Sequence, residues 1–321
     1  MADILEMLAR SPYVSGEAMS SVLGMTRAAV WKRIEQLREE GWDIRSAGKK
    51  GYRLYSGDRL EPVLWQHALT TRAMGRGEIR FAQAMDSTND QLRQMAAAGA
   101  PHGSLCLCEC QTHGKGRLGR TWVSQAGAGL WQSVLLRPNL QPQLTPTITL
   151  ITAMAMAQAL QDCGLEAVRI KWPNDLVAHG RKLCGILCEV TADMDHVDSV
   201  ICGVGVNVLH SAIPPELTGQ ATCLEDEQVH VLRREVLVRY LKALEEKLDC
   251  LEQKGFDALY AEYCARSCTL GQTVRVQGST EFTGVAESID TDGALMVRTP
   301  EGELRKVLAG DVSVRGVMGY V

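Results

Sequence analysis

Apolar positions in the first 60 residues recur with helical spacing three times and then alternate. Ile4, Leu5 and Leu8 predict a helix over roughly Asp3 to Arg10. Ser15 is placed to cap a second helix over Gly16–Leu23, and Gly24-Met25 makes a turn. Thr26 then caps a third helix from Arg27 to about Glu40, with Val30, Ile34 and Leu37 on one face. Trp42 to Arg45 and Tyr52 to Leu54 read as strands joined by a Gly- and Lys-rich loop. Residues 57–65, with Gly57, Asp58 and Pro62, read as a linker. Strands then alternate with helices near Asn89–Ala98, Leu150–Asp162 and Arg233–Lys254. The Leu150–Leu160 run is apolar on most sides and ends near Gly164, which predicts a buried helix. It falls short of the roughly 20 apolar residues a membrane span needs, so no membrane partner is expected. From Leu270 the pattern shifts to short strands, with an Asp292-Gly293 turn signal, and predicts a small barrel. The pattern predicts an α+β, multidomain chain: residues 1–62, a central mixed α/β domain over 63–269, and a β-rich domain over 270–321.

Composition is that of a globular protein, with 45% hydrophobic and 22% charged residues among 321. A net charge of −4 excludes a uniformly basic coat. Residues 1–60 nevertheless carry ten Lys or Arg against eight Asp or Glu, so this part is +2 and the rest −6. Met1 to Arg10 contains Asp3 and Glu6 and reads as an amphipathic helix, not a signal peptide. Eleven cysteines, an odd number, fit a reducing cytoplasm. Cys106, Cys108 and Cys110 alternate on one strand face and read as small buried hydrophobes, because zinc sites usually pair cysteines two to four residues apart.

Helix, helix, turn, helix and hairpin form the winged helix-turn-helix pattern. The positively polarised start of the third helix and the cationic wing suit a phosphate backbone. The candidate DNA contacts are Ser15, Thr26, Arg27, Ala28, Trp31, Lys32 and Arg33, with Lys49 and Lys50 on the wing. The competing reading is a protein-interaction module with a solvated charged face.

The most informative stretch is residues 111–122, QTHGKGRLGRTW, which packs three glycines and three cations into Gly114–Arg120. Glycines let backbone N–H groups turn towards an anion, and the cations neutralise it. The spacing is not that of a P-loop. Taken alone, the stretch is equally an ordinary basic turn. Asp86-Ser87-Thr88-Asn89-Asp90 offers hydroxyls and an amide, for a helix cap or for a polar ligand. Lys171-Trp172-Pro173-Asn174-Asp175 follows a predicted strand, Val168 to Lys171, at a common site location in α/β domains. Arg181 to Leu187 follows a His179-Gly180 turn, and Gly203-Val204-Gly205-Val206-Asn207 is an apolar strand whose glycines permit close approach of a ligand.

In this order, Ser-Thr-Asn, Gly-Lys-Gly-Arg-x-Gly-Arg-x-Trp, Lys-Trp-Pro-Asn-Asp, Lys-Leu-x-Gly-Ile and Gly-x-Gly-x-Asn resemble the biotin protein ligases. The winged module ending in Gly-Lys-x-Gly-Tyr-x-Leu resembles the subgroup that also acts as biotin operon repressor. The chain departs from the family at Lys115 and Leu118, where arginine is common. The resemblance implies an ATP-dependent, AMP-forming ligase that makes biotinyl-5'-AMP and transfers biotin to a lysine of a biotin carboxyl carrier protein. It also implies repression of biotin synthesis genes through operator DNA, a homodimer formed on adenylate binding, Mg²⁺ as cofactor, and an SH3-like C-terminal barrel. Biotin would be held by Ser87, Thr88, Asn89, Gln111, Gly114, Lys115, Gly116, Arg117, Lys182 and Gly185. ATP and the adenylate would meet Lys115, Arg117, Arg120, Trp122, Lys171, Asn174 and Asn207. Arg117, Lys182 and Asp175 would carry the catalysis, with Asp175 also beside Mg²⁺. Two alternatives stay open: a lipoate-type ligase, and a biotin-sensing transcription factor without catalysis.

Overall fold

A computed structural model describes residues 3–278, 281–309 and, for backbone only, 313–316. The chain divides into two compact units at the Leu69–Thr70 junction.

The first unit holds α1 (Ile4–Arg10), α2 (Gly16–Leu23), α3 (Arg27–Glu39), β1 (Ile44–Ser46) and β2 (Tyr52–Leu54). Asp3, Ser15 and Thr26 each cap the helix that follows with a side-chain oxygen. Ile4, Leu8, Met19, Val30, Ile34 and Leu37 meet in one core. β1 and β2 pair antiparallel, with Arg45 opposite Arg53. Trp42 precedes β1 and is buried in the core instead of opening the strand. The expected linker is partly structural: Leu64 joins the same core, and buried Trp65 donates its indole N–H to Leu60 O at 2.9 Å.

The second unit is built on a seven-stranded sheet. Its strands are β3 (Ile79–Met85), β4 (Leu105–Gln111), β5 (Gly129–Leu136), β6 (Val168–Lys171), β7 (Asp175–Ala178), β8 (Arg181–Ala192) and β9 (Val197–Asn207), in the order β3-β4-β5-β9-β8-β7-β6. Only the β3–β4 pair is parallel. α4 (Thr88–Ala97) packs on β4, β5 and β9 through Leu92 and Met95. α5 (Pro146–Gln161) is buried on nearly every side, and α6 (Arg233–Lys254) packs against it. Pro146 sits at the first helical position of α5, which its fixed φ favours. α7 (Asp257–Arg266) buries only Leu259 and Tyr263.

Beyond it lie β10 (Thr273–Gln277), β11 (Phe282–Ile289), β12 (Leu295–Arg298), β13 (Leu304–Val307) and β14 (Ser313–Gly316), an antiparallel sheet in the order β13-β12-β11-β10-β14. The small β-rich module is therefore present, and among the described residues no ladder joins its two edge strands into a closed barrel. It is fastened to the large sheet by Trp172 Nε1, which donates to Gly293 O at 3.1 Å.

Candidate active site

The strand register sets the floor of the site. Ser133, Gly203 and Leu187 lie side by side across β5, β9 and β8, and Trp131, Gly205 and Gly185 form the row two residues on. Alternation puts both rows on one face. Glycine is required there. A Cβ on Gly185 or Gly205 would lie 2.6 Å from the Trp122 indole, and one on Gly203 would lie 2.2 Å from Asn89 Oδ1.

Over this floor lies a cavity of about 380 Å³, within the usual range for small-molecule sites. The motifs of the sequence converge on it. Ser87, Thr88, Asn89, Gln111, Lys115, Gly116, Arg117, Arg120, Trp122, Lys171, Asn174, Asp175, Lys182 and Gly185 all line it. Two expected contacts do not. Gly114 lies against the loop's own return, where a Cβ would come 2.3 Å from Trp122 O. Asn207 is buried beside the cavity and donates Nδ2 to Thr222 O at 3.1 Å. Leu187, Gly203, Gly205, Leu217, Gln220 and Trp172 also form walls. Of these, the two glycines, Trp172 and Leu187 fall within the stretches the sequence singles out. Leu217 and Gln220 belong to no motif, and only tertiary structure brings them in.

One end is a neutral polar network. Gln111 Oε1 accepts from Thr88 N at 2.9 Å, and its Nε2 donates to Ser124 Oγ at 2.8 Å. Buried Ser133 Oγ lies 2.7 Å from Thr88 Oγ1 and 2.6 Å from Asn89 Oδ1. Asn89 Nδ2 donates to Glu189 Oε2 at 2.7 Å, so this amide supports the floor. Ser87 also caps α4 weakly, accepting from Asp90 N at 3.5 Å.

The other end is charged. Three residues, Trp172 to Asn174, link the paired ends Lys171 and Asp175 of β6 and β7, so the two strands aim Lys171, Asn174 and Asp175 at one place. Lys182 Nζ is 2.6 Å from Asp175 Oδ1 and 5.3 Å from the centre of the Trp122 ring. Arg117 donates to Asn174 Oδ1 at 3.1 Å and to Ala309 O, which ties the basic loop to the C-terminal sheet. Lys115 Nζ is 2.6 Å from Asp90. Trp122 Nε1 is buried with no hydrogen-bond partner among the described residues.

The cysteines stand apart from this chemistry. All eleven are free thiols. Burial pushes the Cys106 thiol up to about 12, and the Cys108 thiol higher still, as expected of core residues and not of metal ligands. Among the described residues, one trio of metal-type donors, His210, Cys223 and Asp226, comes within 4.8 Å.

In the first unit the candidate DNA residues sit on the surface near α3 and the β1–β2 turn. Trp31 is 58% exposed, and Ala28, Lys32, Lys49 and Lys50 are open to solvent. Arg27 pairs with Glu17 and Arg33 with Glu40, each at 3.0 Å. The Ser15 and Thr26 oxygens cap α2 and α3.

A mixed sheet with a glycine floor, a neutral pocket at one end and a cationic loop at the other is the arrangement of an acid-activating ligase. The biotin/lipoate A/B protein ligase family matches residues 81–207, the biotin protein ligase C-terminal domain matches 269–315, and a helix-turn-helix domain matches 1–53. The bifunctional ligase/repressor BirA of Bacillus subtilis is 34% identical over 319 residues, covering 97% of this chain and 98% of its own. Its namesake in Escherichia coli is 29% identical over 317 residues, covering 97% and 96%. The biotin protein ligase of Aquifex aeolicus in complex with biotin and ATP superposes with a TM-score of 0.66 at 30% identity, covering 74% of this chain and 99% of that one. The chain belongs to the biotin protein ligase family, in the branch of bifunctional ligase/repressors.

Proposed function

We propose that the chain activates biotin with ATP, transfers it to a lysine of a biotin carboxyl carrier protein, and represses biotin synthesis genes through operator DNA. The observation that carries the ligase reading is the convergence of Thr88 and Gln111 with Lys115, Arg117, Asn174, Asp175 and Lys182 around one cavity.

A free carboxylate is a poor acyl donor, and adenylation gives it a good leaving group. A biotin carboxylate oxygen attacks the α-phosphorus of ATP, the bond to the β-phosphate oxygen breaks, and pyrophosphate leaves. Catalysis is largely positioning and charge neutralisation. Thr88, Gln111 and Ser87 hold the polar ring of biotin. Lys115, Arg117 and Lys182 face the carboxylate and α-phosphate, while Arg120, Trp122, Lys171 and Asn174 serve the nucleotide. Asp175 and Asn174 put carboxylate and amide oxygens beside the cationic cluster, a donor set suited to Mg²⁺. When bound, Mg²⁺ would neutralise phosphate charge. In the second step an uncharged lysine amine attacks the biotinyl carbonyl carbon, the bond from that carbon to the phosphate oxygen breaks, AMP leaves, and the nitrogen gives up its proton to solvent as the amide forms. Asp175 is placed to take part in holding that amine, and the basic loop keeps water from the anhydride.

Incubation with biotin, ATP and an acceptor domain tests this. The expected result is AMP and pyrophosphate release with one biotin on the acceptor lysine. Equal transfer of lipoate would favour the lipoate reading. Absence of any adenylate, alongside DNA binding that responds to biotin, would favour a sensor without catalysis.

For the first unit, the exposed α3 face and the Lys49-Lys50 turn support DNA binding. A two-fold dimer on a palindromic site, formed when the adenylate acts as corepressor, follows from the small footprint of one module. Sedimentation with and without biotin and ATP checks it. We infer a cytoplasmic protein from the eleven free thiols; among the described residues no helix is long and apolar enough to cross a membrane. The C-terminal sheet, joined to Arg117 through Ala309, would provide a platform for the acceptor.

A further inference from the structure

Glu227 does not line the cavity, yet it ties two of the cavity's supports together. Its side chain is only 4% exposed and its carboxylate accepts from Thr222 Oγ1 at 2.6 Å and Arg181 Nη2 at 2.9 Å, with His179 Nδ1 at 2.7 Å. Burial works to raise the Glu227 pKa, and these partners outweigh it, leaving the carboxyl below the ordinary glutamate range. His179 and Arg181 flank the β7–β8 turn. Thr222 belongs to the segment that returns after Asn207.

Thr222 is fully buried, and each of its polar groups is held. Its N–H donates to Lys182 O at 2.8 Å, its carbonyl accepts from Asn207 Nδ2 at 3.1 Å, and its hydroxyl donates to Glu227. Lys182 N donates in turn to Gln220 O at 2.8 Å. The segment that supplies Leu217 and Gln220 to the cavity is therefore hung on the backbone of the residue whose side chain meets Asp175.

We propose that Glu227 is a positioning residue for the nucleotide part of the site, fixing segment 217–222 against Lys182 and Asn207. Its effect on catalysis passes through Thr222 and the β7–β8 turn, and it touches no substrate. Removing the carboxylate leaves the fully buried Thr222 hydroxyl without its acceptor and releases the more exposed His179 and Arg181 to water, so the segment that Thr222 anchors loosens. The neutral network around Thr88 and Gln111 makes no hydrogen bond to this clamp, so recognition of the biotin ring should stand and biotin should be affected far less than ATP. The inference rests on the reading that the cavity takes ATP.

The test uses the full chain with Glu227→Ala and Glu227→Gln, measuring KM for ATP and for biotin by pyrophosphate release, with Tm alongside. Glu227→Ala should raise the ATP KM about tenfold or more and leave the biotin KM within about twofold, a split that loss of folded protein cannot produce. Glu227→Gln keeps the shape and an oxygen for Thr222, and should raise the ATP KM only roughly threefold. If Glu227→Ala does not fold, Glu227→Gln and Arg181→Gln carry the same comparison. An unchanged ATP KM in the variants, or both KM values rising together, overturns the proposal. A wild-type chain that releases no pyrophosphate from ATP and biotin overturns the ligase reading itself.

Discussion

At the scale of single residues, the glycine floor makes the sharpest prediction. In Gly205→Ala the new Cβ would lie 2.6 Å from Trp122 Nε1, so the indole must move. Trp122 packs edge-to-face on Trp131, with ring centres 6.4 Å apart, and cannot retreat in that direction. ATP affinity should fall about tenfold, near 1.4 kcal/mol, while Tm changes little. Isothermal titration and a melting curve check both halves, and unaltered binding would refute it. Arg117 carries a second prediction, because it links the loop to Asn174 and to the C-terminal sheet. Arg117→Gly should still form adenylate but release it, so that bystander lysines on an added inert protein become biotinylated. Retention equal to wild type would count against the loop as a cover.

Among the elements, the N-terminus of the large sheet is held by α6. Glu245, on α6, accepts from Arg72 N at 2.8 Å, Ala73 N at 2.7 Å and Met74 N at 3.1 Å. Burial alone would raise its pKa; these backbone donors and the Arg72 cation bring it below the usual glutamate value. A carboxyl lowered on folding adds stability that is present above its unfolded pKa and is lost as pH falls through the folded value. At pH 7 Glu245→Gln should cost about 1–3 kcal/mol. Its Tm deficit against wild type should shrink as pH drops below about 4.5. A deficit that stays constant with pH would show that the charge contributes nothing.

The same scale shows what the sequence discloses. Ser15 and Thr26 mark α2 and α3 because a hydroxyl before an apolar face has an N–H to satisfy, and α6 is legible from end to end through its stripe of Val236, Leu237, Tyr240, Leu241, Leu244 and Leu248. The start of α5 is hidden by Thr147 and Thr149, which look polar but lie inside a helix that is buried nearly all round. α7 is silent because two buried side chains do not make a period. For the site, motifs identify residues that bear charge or hydroxyls. They miss walls such as Leu217, and they do not disclose that Asn207 donates its Nδ2 to Thr222 O.

Across the whole molecule, strand order and chain order disagree, and this has a consequence for synthesis. β9 is central to the sheet yet follows β5 by some seventy residues, and it covers the β5 edge from Gly129–Asn207 to Leu136–Val200. As the nascent chain leaves the ribosome at roughly 5–20 residues per second, β3, β4 and β5 wait several seconds with an open, wholly buried-type strand at their margin. An exposed apolar edge invites pairing with another chain. Fragments ending between residues 140 and 195 should therefore aggregate when expressed, whereas those ending before β3 should not, and a pelleting assay on a truncation series would decide it. Slow codons or chaperone contact would matter most in that interval, well before the Gly114–Arg120 loop has the rest of the cavity beside it.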